Sequence, residues 1–250
     1  MTREGKYVYC IIESDESRNF GPIGIGQRGD IVSTIGYNDL SVVISNSPMT
    51  KYVINRENMM AHEKVIEEVM KDYAVLPVRF CTIAASAEEV RTLLRRRHSE
   101  FKGLLRDMDN KVEMGLKALW KDMNQIFHEI AEENQGVRRL KNKAEGKAGK
   151  DVNAYKIAVG KVVKEALDAK KEGEAKKIMN TFKRAAVDVR TNGLIGDSMF
   201  LNAAFLIDRT REKEFDYIVE GLVEKYNDRA NIKYIGPAPP FNFVNIVVKW

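Results

Sequence analysis

Val75-Leu76-Pro77-Val78-Arg79-Phe80-Cys81-Thr82 has the composition of a β-strand with a proline set inside it. A proline has no amide hydrogen to give to a ladder, so this strand belongs at a sheet edge or ends there. Upstream, Asn55 is placed to cap a helix running to about Asp72, with Met59, Ile66, Val69, Met70 and Tyr73 on its apolar face. Downstream, Ser86 followed three residues later by Glu89 is a capping-box pattern, and it opens a helix through Arg95-Arg96-Arg97. Nearer the start, Tyr7 to Ile12 reads as a strand, and Glu13 to Asp30 as a polar, glycine-rich connection. Ile31 to Ile35 and Leu40 to Ser45 then form a hairpin across Gly36-Tyr37-Asn38-Asp39. The first half is therefore strand, loop, strand, strand, helix, strand.

A second unit opens near Lys111. Val112, Met114, Leu116, Ala118 and Trp120 alternate with Lys111, Glu113, Gly115 and Lys117, the pattern of a half-buried strand. Met123 to Gln135 reads as one helix. A lysine-rich stretch then leads to a second, from about Val152 to Val187, striped by Val152, Tyr155, Val159, Val162, Ala166 and Ala169. Two long helices joined this way predict a helical hairpin standing off the sheet. Strands follow at Val187 to Arg190 and Met199 to Ile207, then a helix from about Arg211 with Phe215, Ile218, Val219, Leu222, Val223 and Tyr226 inward. Ile232 to Ile235 and Phe243 to Val248 complete the strands. Strand, helices, strand, strand, helix, strand is the βαββαβ order of a ferredoxin-like fold. The first half repeats it with a loop in place of the first helix. The expected class is α+β, with two such units in tandem.

Length agrees with this division, since 250 residues suit two domains of about 100 to 150 each. No apolar run approaches the ~20 residues of a membrane-spanning helix. The N-terminal residues lead straight into a strand-like segment and leave no apolar stretch for a signal peptide, so a cytoplasmic location is expected. Cys10 and Cys81 lie in apolar strand-like runs, where free thiols are commonly buried, and two cysteines make no disulfide framework.

Motifs that could carry chemistry fail their context tests. Gly24-Ile25-Gly26-Gln27-Arg28-Gly29 has dinucleotide-binding spacing, but the preceding strand ended about a dozen residues earlier and a strand follows it. Gly146-Lys147-Ala148-Gly149-Lys150-Asp151 has too few residues between its glycines for a P-loop, and an acid where the magnesium-binding hydroxyl should stand. It reads better as a turn between helices, with Asp151 as N-cap. His62, His98 and His128 have no companion at metal-ligand spacing, and His62 suits a hydrogen-bonded structural role. Adjacent carboxylates such as Glu67-Glu68 and Glu132-Glu133 diverge on a helix. No catalytic, cofactor-binding or metal-binding residue is expected.

The basic excess is localised. From Val137 to Arg184 there are 15 Lys or Arg against six acids, a surplus larger than the net +5 of the whole chain. Such a limb can meet phosphates or an acidic protein surface. Only Tyr155 and Phe182 are available there for base stacking, so a solvated face or a protein contact is the better reading.

The end of the chain, Tyr234-Ile235-Gly236-Pro237-Ala238-Pro239-Pro240-Phe241-Asn242-Phe243, carries three prolines in four residues. This run joins Tyr7 to Ile12, His62, Val75 to Thr82 and Lys111 to Lys117 in a recognisable order. In these places the chain resembles the gas vesicle accessory proteins of the GvpF/GvpL family. His62, Pro77, Arg79, Phe80, Gly236, Pro237, Pro240, Asn242 and Phe243 carry the likeness, and the resemblance implies structural roles for them. Cys10 and Cys81 depart from it where glycine is expected, and Ala238 where an aromatic is expected. The implied organisation is a modified ferredoxin-like domain over 1–108, a second with long helices over 109–236, and a proline-led tail over 237–250. The implied role is non-enzymatic: an assembly factor or minor structural component located at the gas vesicle in the cytoplasm. Its partners would be the hydrophobic shell protein and other accessory proteins, with no cofactor, no membrane span and a monomeric state favoured. A shell subunit must present an apolar face to gas, and a soluble partner covering that face would prevent aggregation during nucleation. The alternative is a nucleic-acid-binding ferredoxin-like protein acting through the basic helical hairpin.

Overall fold

The computed structural model describes residues 3–144, 151–248 and 250, with side-chain detail outside 140–144, 151–156 and 249. The first sheet contains β1 (Glu4–Glu13), β2 (Asn19–Gly21), β3 (Val32–Tyr37), β4 (Leu40–Pro48) and β5 (Leu76–Ala84), in the spatial order β2-β3-β4-β1-β5. Its neighbours all run antiparallel. β1 has a partner on each side, and Tyr7 to Ile12 are all fully buried. The register slips between Val8 and Cys10, where Tyr9 is one residue too many for β4. The slip explains why Tyr9 and Cys10, though consecutive, pack in the same cluster.

Helices cover both faces of this sheet. Tyr7, Tyr9, Cys10 and Ile12 pack with Val65, Ile66, Val69 and Met70 of α1 (Arg56–Met70). Val8, Ile11, Val42 and Ile44 pack with Val90 and Leu94 of α2 (Ala87–Arg96) and with Phe101, Leu105 and Met108 of α3 (His98–Met108). Asn55 caps α1 by accepting the Asn58 amide at 2.8 Å. Ser86 caps α2 by accepting the Glu89 amide, while the Glu89 carboxylate accepts the amide of Ala85. Arg97 provides no side-chain cap for α3. That omission costs about 1 kcal/mol, against roughly 1.5–3 kcal/mol gained by burying each large apolar side chain, so packing decides that α3 forms.

The second sheet holds β6 (Lys111–Trp120), β7 (Asp188–Thr191), β8 (Met199–Asp208) and β9 (Ala230–Ala238), in the order β7-β8-β6-β9. With it come α4 (Met123–Glu133), α5 (Gln135–Ala144), α6 (Asp151–Phe182) and α7 (Glu212–Tyr226). Phe182, Phe205 and Phe215 meet at centroid distances of 4.6–5.3 Å, and Trp120 stacks on Phe200 at 4.8 Å. With β2 set aside, the two sheets show the same permutation of their strands in chain order, β3-β4-β1-β5 and β7-β8-β6-β9. The result is a mixed α/β fold with two antiparallel sheets and, among the described residues, seven α-helices. Two compact units divide it: Met1–Met114 with Leu206–Thr210 and Gly236–Trp250, and Gly115–Phe205 with Arg211–Ile235.

Several expected elements differ. β2 lies inside the segment read as a connection, and α3 follows the expected helix without being foreseen. The hairpin turn is tighter than expected, since Tyr37 already pairs with Leu40. On α1, Met59 is exposed, and the inward face is set by His62, Val65, Ile66, Val69 and Met70. α4 stops at Glu133 because Asn134 is extended, and the Asn134 side chain accepts the amides of Gly136 and Val137 to start α5. α6 ends at Phe182, and among its described side chains the buried ones are Leu167, Lys171, Ile178 and Phe182, while Ala169 of the expected stripe is exposed. The last expected strand, Phe243 to Val248, is instead a turn through Phe243 followed by a segment whose single bridge is at Ile246. The turn read at Gly146 to Asp151 falls on residues outside those described, apart from Asp151 at the start of α6.

Candidate functional site

The run Val75 to Thr82 forms a large bulge. Pro77 is opposite Cys10 and Thr82 is opposite Val8, so Val78, Arg79, Phe80 and Cys81 stand against Tyr9 alone. A ladder cannot satisfy the backbone groups of so many extra residues, and buried groups left unpaired are costly. Side chains take over. The Cys81 amide donates to the Tyr7 hydroxyl at 2.9 Å, and His62 Nε2 lies 3.2 Å from the Val78 carbonyl. Tyr7 Oη lies 3.1 Å from His62 Nδ1. A carbonyl only accepts, so Nε2 must carry the proton, Nδ1 must accept, and the Tyr7 hydroxyl must donate. One tautomer satisfies the whole chain of bonds.

Burial pushes the His62 pKa down to about 4, with its bond to Val78 opposing the shift, so the ring is neutral at physiological pH. The same desolvation raises the Tyr7 hydroxyl far above its ordinary value and pushes Tyr9 up to about 12. His62 stacks on Tyr9 at 5.7 Å and meets Tyr7 and Phe80 edge-on at 5.7 and 5.8 Å. Tyr9 accepts the Ile25 amide at 2.8 Å and bonds Ser45 at 2.9 Å. A hydroxyl beside an imidazole has the composition of a nucleophile and base. Here both ring nitrogens and the hydroxyl are engaged, and the arrangement holds backbone in place.

The C-terminal tail lies against this bulge. Gly236, at φ +143°, approaches β6 so closely that a Cβ there would fall 3.0 Å from the Glu113 carbonyl oxygen. After Pro237 and Pro239, the Pro240 carbonyl accepts the amides of Phe243 and Val244, both at 3.0 Å. Asn242 gives its backbone amide to Glu113 Oε2 at 2.8 Å and its side-chain amide to Oε1. Glu113 was expected to face outward from alternation alone. It is instead buried, and that burial raises its pKa against the opposing bonds from Asn242. Arg79 donates to the Asn245 side chain at 2.7 Å, and Arg97 to the Val247 carbonyl at 2.9 Å. Ile246 bridges Val78 in parallel, and Val244 and Ile246 are buried in the cluster beneath α2 and α3. Phe241 lies 6.5 Å from the His62 ring, and Phe243 packs against the same cluster as Ile246.

The nine residues His62, Pro77, Arg79, Phe80, Gly236, Pro237, Pro240, Asn242 and Phe243 all belong to the first compact unit. The structure joins them through the bulge and the tail. Sequence reasoning missed Tyr7, Glu113 and Arg97 as their partners, because each is hidden in an ordinary strand or helix pattern.

Elsewhere, parts of the basic limb are turned inward. Lys170 bonds Glu129 and Glu133 at 2.9 and 2.8 Å, and the buried Lys171 donates to the Gly196 carbonyl at 3.1 Å, whereas Lys177 pairs with Glu174 at 3.4 Å on the exposed surface. Among the described residues, no group of three His, Cys, Asp or Glu is placed to hold a metal ion. No helix among them is long and apolar enough to cross a membrane.

Fold and site together define a two-sheet α/β protein whose most recognisable residues serve a bulged edge strand and its tail. The chain belongs to the GvpL/GvpF family of gas vesicle synthesis proteins, whose description "Gas vesicle synthesis protein GvpL/GvpF" matches residues 5–245. Membership implies a role in gas vesicle formation, in association with gas vesicle components. The chain is 30% identical to gas vesicle protein F of Streptomyces sp. (strain CB03234) over 241 residues, covering 95% of this chain and 98% of that one. It is 25% identical to gas vesicle protein F1 of Halobacterium salinarum over 248 residues, covering 97% and 94%. The crystal structure of GvpF from Anabaena sp. PCC7120 shares the fold, with a TM-score of 0.82, 24% identity, and coverage of 98% of this chain and 100% of that one.

Proposed function

We propose that this protein is a non-enzymatic assembly factor or minor structural component of gas vesicles. In this reading it binds the hydrophobic shell protein and keeps it from aggregating while vesicles nucleate in the cytoplasm. The family match from residue 5 to 245 carries the proposal, because it spans both compact units and the tail. The physical need is plain: an apolar face destined for gas is an aggregation hazard until it is covered.

The architecture belongs to the same proposal. A modified ferredoxin-like plan for both units is supported by their shared strand order, with α4 to α6 as the helical arm of the second. The functional division is 1–108, 109–236 and a tail from 237. His62, Pro77, Arg79, Phe80, Gly236, Pro237, Pro240, Asn242 and Phe243 then keep the bulge and tail in shape and do no chemistry. The nucleic-acid reading gains no support from Lys170 and Lys171, which are bonded within their own unit.

The test is a sedimentation assay. Shell protein diluted from denaturant should stay in the supernatant with this protein at stoichiometric concentration and should pellet with an inert protein of similar charge. Equal pelleting in both tubes would overturn the proposal.

A further inference from the structure

We infer that the tail segment Asn242 to Val248 is a replaceable guard on the edge of β5, and that the strip it occupies accepts an extended apolar strand of the shell protein. The inference rests on the shell-binding reading above and specifies its surface.

β5 ends the strand order of the first sheet, so one of its edges faces away from β1. An unpaired strand edge is a template for another strand, and proteins cover such edges. Here the cover is the chain's own tail, joined to β5 by the single bridge between Val78 and Ile246. Phe80 to Ala84 have no strand partner on that side among the described residues. The cover is therefore partial.

The occupant shows what the strip accepts. Val244 and Ile246 point into the apolar cluster, Val248 packs against it, and the intervening Asn245 and Val247 are exposed. That is the alternation of an extended segment with one apolar face. The rim contacts make few demands on sequence. Arg97 grips a backbone carbonyl, which any peptide supplies, and Arg79 grips a side-chain oxygen, which an amide or a carboxylate supplies. An apolar, alternating strand with a polar or acidic residue between its inward positions meets every condition that the tail meets. Addition of such a strand to a free edge is an established mode of peptide recognition. The bulge contributes directly, because it carries both Val78 and Arg79, and the Tyr7–His62 bonds hold it open toward the tail.

The test locks the guard in place in the full-length chain. Arg79→Cys and Asn245→Cys are combined in a Cys81→Gly background and joined by a short thiol-to-thiol cross-linker, with the unlinked double variant and wild type beside it. Circular dichroism shows that all three are folded. The readout is the protein concentration that keeps half of the diluted shell protein in the supernatant. The unlinked variant has lost the Arg79 contact and should need up to about threefold more than wild type, and the linked form should need at least about tenfold more than the unlinked one. Equal action by linked and unlinked forms would overturn the inference while leaving the shell-binding reading intact. If wild type itself retains no shell protein, both fall. A dimer of the unlinked variant in light scattering, with shell retention unchanged by linking, would assign the strip to a second copy's tail and also overturn it.

Discussion

The Tyr7 hydroxyl donates to His62 Nδ1 across 3.1 Å, and the two side chains together satisfy backbone groups that the β5 bulge takes out of the ladder. Neither is exposed to any useful degree, and each depends on the other for its hydrogen-bonding sense. The pair replaces missing strand pairing with side chains reaching from β1 and α1. It thereby links the core of the first unit to the segment that meets the tail.

Because His62 is held neutral, with a pKa of about 4 against 6.5 unfolded, the unfolded chain binds more protons between those values. Stability from this site is complete above pH 6.5 and declines as pH falls toward 4. His62→Phe keeps much of the ring packing but leaves the Tyr7 hydroxyl and the Val78 carbonyl unpaired. It should cost about 2–4 kcal/mol at pH 7.5. That deficit should shrink by about 2–3 kcal/mol at pH 4.5, because the variant has no imidazole to protonate. Urea unfolding of both proteins at the two pH values measures this, and a deficit independent of pH would contradict it.

Cys81 occupies the left-handed region at φ +64°, where a non-glycine residue costs about 1–2 kcal/mol. Cys81→Gly removes that strain but adds unfolded-state freedom of about 0.5–1 kcal/mol, and it loses the weak bond from the Tyr52 amide to Sγ. The net change should lie within about 1 kcal/mol of wild type. Cys81→Val places a β-branched side chain at the same angle and should be less stable than the glycine variant by at least about 2 kcal/mol. Thermal melts of the pair decide it. Equal stability would mean that the backbone here is not constrained.

Much of this arrangement was legible in the sequence. Alternation and helical spacing were enough to find β1, β4, β8, α1 and α7, because those elements bury one face or are buried outright, although Met59 and Val223 of the expected helical faces are exposed. Pro77 marks a sheet edge or a strand end, and β5 lies at the edge of its sheet. What stayed hidden were long-range demands that leave no local pattern. Glu113 looks like any outward residue of a half-buried strand until Asn242, far along the chain, supplies two donors to its carboxylate. α3 opens without a capping side chain, and only its burial of Phe101, Leu105 and Met108 explains it. The bulge was invisible because Val-Arg-Phe-Cys has good strand propensity, and its departure from the ladder is fixed by His62 and Tyr7. On α6, the inward face follows the buried Leu167, Lys171 and Ile178, and a lysine inside that face defeats a search for apolar stripes.

Gly236 should tolerate no side chain. At φ +143° an alanine is strained, and its Cβ would press on the Glu113 carbonyl oxygen at 3.0 Å as well as on the Met114 sulfur. The methionine can turn aside, but the backbone oxygen cannot. Gly236→Ala should lower stability by about 2–4 kcal/mol. Since the same Glu113 holds Asn242, the amides of Asn242 to Val248 should exchange with solvent at least about tenfold faster. A variant with reduced stability but unchanged exchange in the tail would separate the two effects and refute the coupling.

In the second unit, Arg229 grips Glu129 through two parallel bonds of 2.7 Å, and Lys170 adds a third contact at 2.9 Å. Bonds to Arg229 and then to Lys170 hold the Glu129 carboxyl at about 2, with partial burial opposing them. The stability they supply is present above the unfolded value near 4.5 and is lost as pH falls through about 2. Both side chains are less than one-third exposed, so solvent screening reduces the contribution without removing it. Glu129→Gln keeps the shape but gives up the charge. It should cost about 2 kcal/mol at pH 7, with more than half of that deficit gone by pH 3. Urea unfolding at pH 7, 5 and 3 follows the convergence. A constant gap would mean that Glu129 contributes through packing and not through its charge.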